Sequence, residues 1–73
     1  QVYPNPTKGT LTIEAEGIEN IRLIDMMGQV LETYEGGHSD SVVLNLNSYK
    51  PSVYLLEVKT DKGVVKQRVA LCR

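Results

Sequence analysis

Few side chains in this 73-residue sequence could carry out chemistry, and the single histidine, His38, is the first to consider. It lies in the Gly-rich stretch 36–40, close in sequence to Ser39 and Ser41, and Cys72 is the single thiol. A nucleophile activated by histidine needs hydrogen-bond reach, an orienting partner and a substrate pocket. A domain this small leaves little room for a pocket. We therefore predict that the chain is not an enzyme and that His38 is a solvated loop residue.

Carboxylates are the next candidates, because they could hold a metal ion. Asp25, Asp40 and Asp61 each stand in a turn-like context, but none belongs to an Asp-x-Asp-x-Asp series with a following Glu, which calcium loops require. Turn chemistry explains all three. No Gly-rich phosphate loop is present. We predict no cofactor and no metal site, and we expect Cys72, which has no partner for an internal disulfide, to be a small apolar residue or a free thiol.

A basic cluster, formed by Lys59, Lys62, Lys66 and Arg68, surrounds one short turn near the end of the chain. Two interpretations are open: a solvated face or a patch that binds a partner. The formal net charge of −1 gives no reason to expect nucleic-acid binding. No apolar run reaches the roughly 20 residues of a membrane helix, and we expect no signal peptide within these 73 residues.

The element expected to position these residues is a strand at 51–58, bounded by Pro51 and by the polar residues 61–63. Tyr54, Leu56 and Val58 fall on one face, and Val53 and Leu55 fall on the other. A strand that is apolar on both faces is typical of the centre of a sheet.

The rest of the chain predicts shorter strands around it, at 10–15, 20–25, 29–35, 41–47 and 64–71. Residues 16–17 and 61–63 read as turns, residues 25–28 as a type I turn, and residues 36–40 as a flexible polar loop. The proline-bearing segment before Gly9 is extended, and it adds a seventh strand if it pairs. The pattern predicts one domain, residues 1–73, with an all-β fold: an antiparallel β-sandwich of six to seven strands.

The alternation within these strands also predicts the core. A chain of this length buries only roughly 60% of its unfolded surface, so this core is small. The side chains expected to face it are Leu11, Ile13, Ile21, Leu23, Val42, Leu44, Leu46, Tyr54, Leu56, Val58, Val65, Val69 and Leu71. Unpaired strand edges allow a homodimer, and the segment Val2-Tyr3 is the candidate edge.

Three stretches resemble one known family. The opening stretch is Tyr3-Pro4-Asn5-Pro6 followed by Gly9, and the middle stretch, 21–29, is a hydrophobic strand followed by Asp25, two residues, Gly28 and a polar residue. The closing stretch comprises residues 46–58, Gly63 and residues 66–71. In this order and spacing they resemble the C-terminal sorting domains of the type IX (Por) secretion system, over nearly the whole chain.

Two positions depart from the family pattern. Ser52 stands where the family usually has Gly, which costs little unless the backbone needs a positive φ. At the end of the chain Cys72 replaces an expected apolar residue, whereas Arg73 fits the usual basic end.

The resemblance implies an immunoglobulin-like β-sandwich with a role in protein transport. Such domains follow a secreted cargo in Gram-negative bacteria, and the cargo enters the periplasm by an upstream signal. The type IX translocon, with outer-membrane shuttle and sortase components, then moves it across the outer membrane. A sortase-type peptidase removes the domain, and the cargo is joined to lipopolysaccharide at the cell surface or is secreted.

The residues predicted to be recognised by this machinery come from the opening stretch and from the final hairpin. They are Tyr3, Pro4, Asn5, Pro6, Gly9, Lys59, Lys62, Gly63, Lys66, Arg68 and Arg73. Two other functions stay open. An adhesion or glycan-binding module would present a flat row of exposed aromatic residues, for which Tyr34 and Tyr49 are the candidates. A spacer domain of a surface protein would lie away from the extreme C-terminus of its parent.

Overall fold

The computed structural model describes residues 1–72, which form five β-strands and no helix. The strands are β1 (Val2–Tyr3), β2 (Thr10–Ile24), β3 (Val30–Asn45), β4 (Ser52–Thr60) and β5 (Gly63–Leu71). All of their pairings are antiparallel, in the order β1-β2-β4-β5, and β3 pairs with the other edge of β2. The predicted all-β antiparallel class is confirmed. Within this part of the chain there is no helix that could cross a membrane.

The sheet folds over because β2 and β3 are long and bend near their middles. The first half of β2 pairs with β1 and with the end of β3, whereas its second half pairs with the start of β3 and with β4. The register of β2 shifts between Glu14 and Ile18 and again between Ile18 and Asn20. Buried side chains from both halves form one core cluster, so the two halves face each other as the layers of a sandwich.

The strand count is five and not six to seven, because two predicted interruptions are wrong. Residues 16–17 lie inside β2, and residues 36–40 lie inside β3. At the bend the Gly17 amide donates to Asp40 Oδ1 at 3.0 Å. A side chain at Gly36 would collide with the main-chain oxygen of Ile18, so glycine lets β3 approach β2 here. Gly and polar residues mark bulges as well as turns, and here they mark bulges.

The two tight turns are confirmed. The Gly28 amide donates to the Asp25 carbonyl oxygen at 3.0 Å, and Asp25 Oδ1 accepts the amides of Met27 and Gln29, both at 2.9 Å. In the final hairpin, Thr60 pairs with Gly63 across a two-residue turn.

The core follows the prediction with three differences. Val65 is 60% exposed, so its placement in the core is wrong. Val42 is half-buried and packs against the core from outside, and Ile18, expected near a turn, is fully buried. The buried apolar side chains are Leu11, Ile13, Ile18, Ile21, Leu23, Leu44, Leu46, Tyr54, Leu56, Val58, Val69 and Leu71.

β4 lies between β2 and β5, as expected of the central strand. On its outer face Leu55 is half-buried and Val53 is exposed. Ser52 begins β4 and is not among the residues with positive φ, so its replacement of glycine creates no backbone strain.

The sandwich has two distinct ends. We call the "clamp end" the region where Asn5 and Thr7 lie beside the last residues of β5. We call the "bend end" the region where β2 and β3 bend, at Gly17 and Gly36, beside the β4–β5 turn at Asp61.

Candidate functional site: the opening segment and the final hairpin

The opening segment, residues 4–9, follows β1 and is attached to the last strand through Asn5. Its Nδ2 donates to the Arg68 carbonyl oxygen at 2.9 Å, and its Oδ1 accepts the Ala70 amide at 3.1 Å. The carboxamide offers one donor and one acceptor on the same side, as the N–H and C=O of a single residue in a strand do. Asn5 therefore substitutes for a neighbouring strand along the outer edge of β5.

Thr7 continues this attachment with its main chain. Its amide donates to the Ala70 carbonyl oxygen at 2.9 Å, and its carbonyl oxygen accepts the Cys72 amide at 2.8 Å. The hydroxyl of Thr7 donates to the Thr10 carbonyl oxygen and accepts the Gly9 amide. Thr7 is 1% exposed, which makes it the one buried polar side chain among residues 1–72. The sequence pattern did not lead us to predict a role for Thr7, although this residue stands between Pro6 and Gly9 of the opening stretch.

Gly9 lies where the segment turns back into β2. Its carbonyl oxygen accepts the Leu46 amide at 2.7 Å, and a side chain at this position would collide with the Asn47 carboxamide. The backbone at Gly9 has a φ of +156°, which residues with a side chain rarely adopt. Glycine at position 9 therefore allows the opening segment to pack closely against Asn47.

The exposed part of the opening segment forms one wall of an open concavity of about 430 Å³. Its lining residues are Pro4, Pro6, Thr7, Lys8, Gly9, Thr10 and Asn47. The peptide bonds before Pro4 and Pro6 are both cis. Tyr3 is exposed beside this segment, and a hydrogen bond with the Glu14 carboxylate raises the pKa of its phenol.

The basic side chains of the final hairpin point outward, as predicted, but three of them form ion pairs with acidic side chains. The pairs are Lys59 with Glu19 at 3.9 Å, Lys62 with Glu16 at 3.2 Å, and Lys66 with Glu57 at 4.0 Å. The hairpin is therefore less basic in the fold than in the sequence.

Arg68 is exposed and makes no ion pair with another of residues 1–72. It lies directly opposite Leu55 on β4, and its carbonyl oxygen is the one that Asn5 contacts. Arg68 therefore joins the hairpin to the opening segment. Lys59, Lys62 and Gly63 lie toward the bend end, away from that segment, and Arg73 lies outside the described residues.

A model of one protein family matches residues 1–71, nearly the full length of the chain. That family is the secretion system C-terminal sorting domain. The chain belongs to this family. A search of curated proteins found no match.

Membership confirms the resemblance drawn from the three sequence stretches. It makes the domain a C-terminal sorting signal for type IX secretion, with an upstream cargo and the type IX machinery as its partners. Signals of this kind direct export to the cell surface or into the medium of Gram-negative bacteria, and the family is not a class of enzymes.

The sorting domain also contains a tyrosine cluster that the sequence did not reveal. The hydroxyls of Tyr34 and Tyr49 both donate to Glu32 Oε1, at 2.9 and 2.6 Å. Tyr49 packs edge-on against Tyr54, with ring centroids 6.2 Å apart. The two hydroxyls lower the pKa of Glu32, while burial and the nearby Glu32 carboxylate raise the pKa of Tyr34.

These contacts bear on the glycan-binding alternative. Tyr34 and Tyr49 are both half-buried and are tied to one carboxylate, so they do not form a flat row of exposed rings. Nothing in their arrangement favours stacking against a sugar.

Proposed function

We propose that this sorting domain carries its cargo from the periplasm across the outer membrane through the type IX translocon. A sortase-type peptidase then cuts upstream of the domain and attaches the cargo at the cell surface. The observation that carries this proposal is the family match over residues 1–71. The contacts of Asn5 and Thr7 with β5 support it, since they join the opening and closing stretches of the family pattern into one unit at the clamp end.

Within that unit we assign different roles to the candidate residues. Asn5 is bonded to β5 and Gly9 is packed against Asn47, so both hold the signal together. Tyr3, Pro4 and Pro6 are exposed and available to a partner, as is the basic side of the hairpin. On that side the exposed basic side chains are Lys59, Lys62 and Lys66, each in an ion pair at the surface, and Arg68, which forms none among residues 1–72. They surround the turn that Gly63 closes, and Arg73 follows in the sequence. Exposed basic groups beside an apolar core orient a partner by charge.

The test fuses the chain to a periplasmic reporter in a host with the type IX machinery. Surface and periplasmic reporter are then compared. We expect the wild-type chain to place the reporter at the surface, and mass spectrometry to find the surface form without the sorting domain. A reporter retained in the periplasm contradicts the proposed route. A surface reporter that still carries the domain contradicts only the sortase step.

The role of the basic face is tested with the double change Lys66→Glu and Arg68→Glu. Both side chains are exposed, so the fold should stand, which circular dichroism checks. We expect surface reporter to fall severalfold. The matched control compares Arg68→Glu with Lys50→Glu, the same charge change at an exposed position outside the hairpin. If the folded double variant exports as much reporter as the wild type, the signal lies outside these two residues, and the opening segment becomes the next candidate.

A further inference from the structure

The bend end brings together three potential metal ligands that are far apart in the sequence. Glu19 comes from β2, His38 from β3 and Asp61 from the β4–β5 turn. One ligand atom from each, two carboxylate oxygens and an imidazole nitrogen, lie within 4.8 Å of one another. His38 Nδ1 is 3.4 Å from Asp61 Oδ1. These are donor types found in zinc sites.

The sheet itself fixes the positions of these three residues. Ile18 pairs with Ser39 on one side and with Thr60 on the other, which makes a continuous row across three strands. Glu19, His38 and Asp61 are the immediate chain neighbours of these three paired residues. The three ligands are therefore attached to one row of the sheet, and their proximity does not depend on a long loop.

Local contacts strengthen the arrangement. The Asp61 amide donates to the Gly17 carbonyl oxygen at 3.3 Å, and the Asp61 carboxylate packs against Gly17, where a side chain would collide with it. His38 is the one non-glycine residue among residues 1–72 with a positive φ, 63°, a conformation that His and Asn adopt more readily than most residues. The bend thus turns the imidazole toward Asp61.

We propose that Glu19, His38 and Asp61 bind a Zn²⁺ ion, with solvent completing its coordination. Zinc bond lengths in a tetrahedron separate ligand atoms by roughly 3.4 Å, so the side chains need to move by about 1 Å. Both His38 and Asp61 are exposed, which allows that movement and leaves room for water. Calcium fits less well, because it takes about six to eight oxygen ligands. Among the residues proposed for recognition, Lys59 lies beside this site and Lys62 directly follows Asp61 in the β4–β5 turn, whereas the opening segment lies at the clamp end.

Lys59 is the competitor for this site. Its Nζ lies 3.9 Å from Glu19 Oε1, so the ammonium occupies part of the negative field that a cation would use. The lysine side chain is 54% exposed and can turn into solvent when zinc binds. Its removal should therefore strengthen zinc binding, whereas removal of any ligand should weaken it.

The experiment titrates the whole chain with ZnCl₂ by calorimetry and follows the single histidine by NMR. We expect saturable binding at one site, a shift of the His38 ring resonances at the same zinc concentrations, and a melting temperature that rises with zinc. His38→Asn, which suits the left-handed backbone, and Glu19→Gln should each weaken binding by about tenfold or more, a loss equivalent to about 1.4 kcal/mol. Lys59→Ala should strengthen it.

Two control variants test whether other side chains bind the zinc ion. Glu35→Gln makes the same chemical change as Glu19→Gln at an exposed residue of β3, and it should leave binding unchanged. Cys72→Ser removes the single thiol, which is exposed, and it should also leave binding unchanged. The proposal is overturned if zinc gives no saturable heat, if the folded His38→Asn variant binds as the wild type does, or if Cys72→Ser abolishes binding.

Discussion

The clamp end and the bend end place the same strand in two different environments. Val65, Val69 and Leu71 share one face of β5, and simple alternation predicts that all of them are buried. Val69 and Leu71, near the clamp end, are 0% and 2% exposed, whereas Val65, near the bend end, is 60% exposed. The difference arises because the opening segment lies beside β5 at residues 68–72 only.

At the bend end the two layers separate along this side. A small hollow of about 90 Å³ lies between the start of the chain and the final hairpin, with Val2, Val58 and Val65 in its wall. Alternation therefore assigns a residue to a face of the strand, while the neighbouring segment decides whether that residue is buried.

The largest effect is expected from the core side chain of the clamp end. Leu71→Ala should lower the free energy of unfolding by roughly 2–5 kcal/mol, because it leaves a cavity at a buried site. Val65→Ala, on the same face of the same strand, should change it by about 0.5 kcal/mol or less. Urea unfolding measures both. Similar losses at the two positions would show that β5 is buried along its whole length.

The second largest effect is expected in the opening segment, which lies beside only one half of β5. Asn5→Ala removes two hydrogen bonds to β5 and should cost about 1–2 kcal/mol, on the usual scale of such bonds. Lys8→Ala, at an exposed position of the same segment, should have little effect. Hydrogen exchange of the Ala70 amide should rise in Asn5→Ala, since that amide loses its acceptor. An unchanged Ala70 exchange rate would mean that the clamp does not depend on the asparagine.

A smaller effect is expected at the turn between β2 and β3, whose contacts are local and involve neither end's special geometry. Asp25→Ala removes the acceptor for the amides of Met27 and Gln29 and should cost about 1 kcal/mol. We expect calcium to leave the melting temperature of the wild type unchanged, because the carboxylate serves the turn. A calcium-dependent rise that Asp25→Ala abolishes would contradict this assignment.

The smallest effect concerns a pKa and not the fold. Tyr49→Phe removes one hydrogen bond to Glu32 and should raise the pKa of that carboxyl toward its ordinary value, as followed by NMR titration. Because the folded pKa lies below the unfolded one, the stabilisation from Glu32 is present above the unfolded pKa. It is lost as pH falls through the folded pKa.

The matched control for this titration is Tyr3→Phe, since Tyr3 contacts Glu14 and not Glu32. It should leave the pKa of Glu32 unchanged. A Glu32 titration that is the same in wild type and Tyr49→Phe would show that the two hydroxyls do not act on the carboxylate in solution.

Sequence patterns were sufficient wherever the deciding interaction is local. The turn at Asp25 and Gly28 follows from an aspartate that binds nearby amides, and the buried face of β4 follows from the alternation of Tyr54, Leu56 and Val58. The three family stretches also lie in the sequence itself, and they were enough to indicate the sorting domain.

The tertiary structure decided what depends on residues across the sheet. Gly36 reads as part of a loop until the Ile18 main chain is placed against it, which turns the predicted break into a bulge. Asn5 gains its role only when Arg68 and Ala70 lie beside it. The proximity of Glu19, His38 and Asp61 likewise follows from one row of three paired strands. Local chain chemistry encodes turns and faces, but the partners of a side chain depend on how distant strands align, which no stretch of sequence contains by itself.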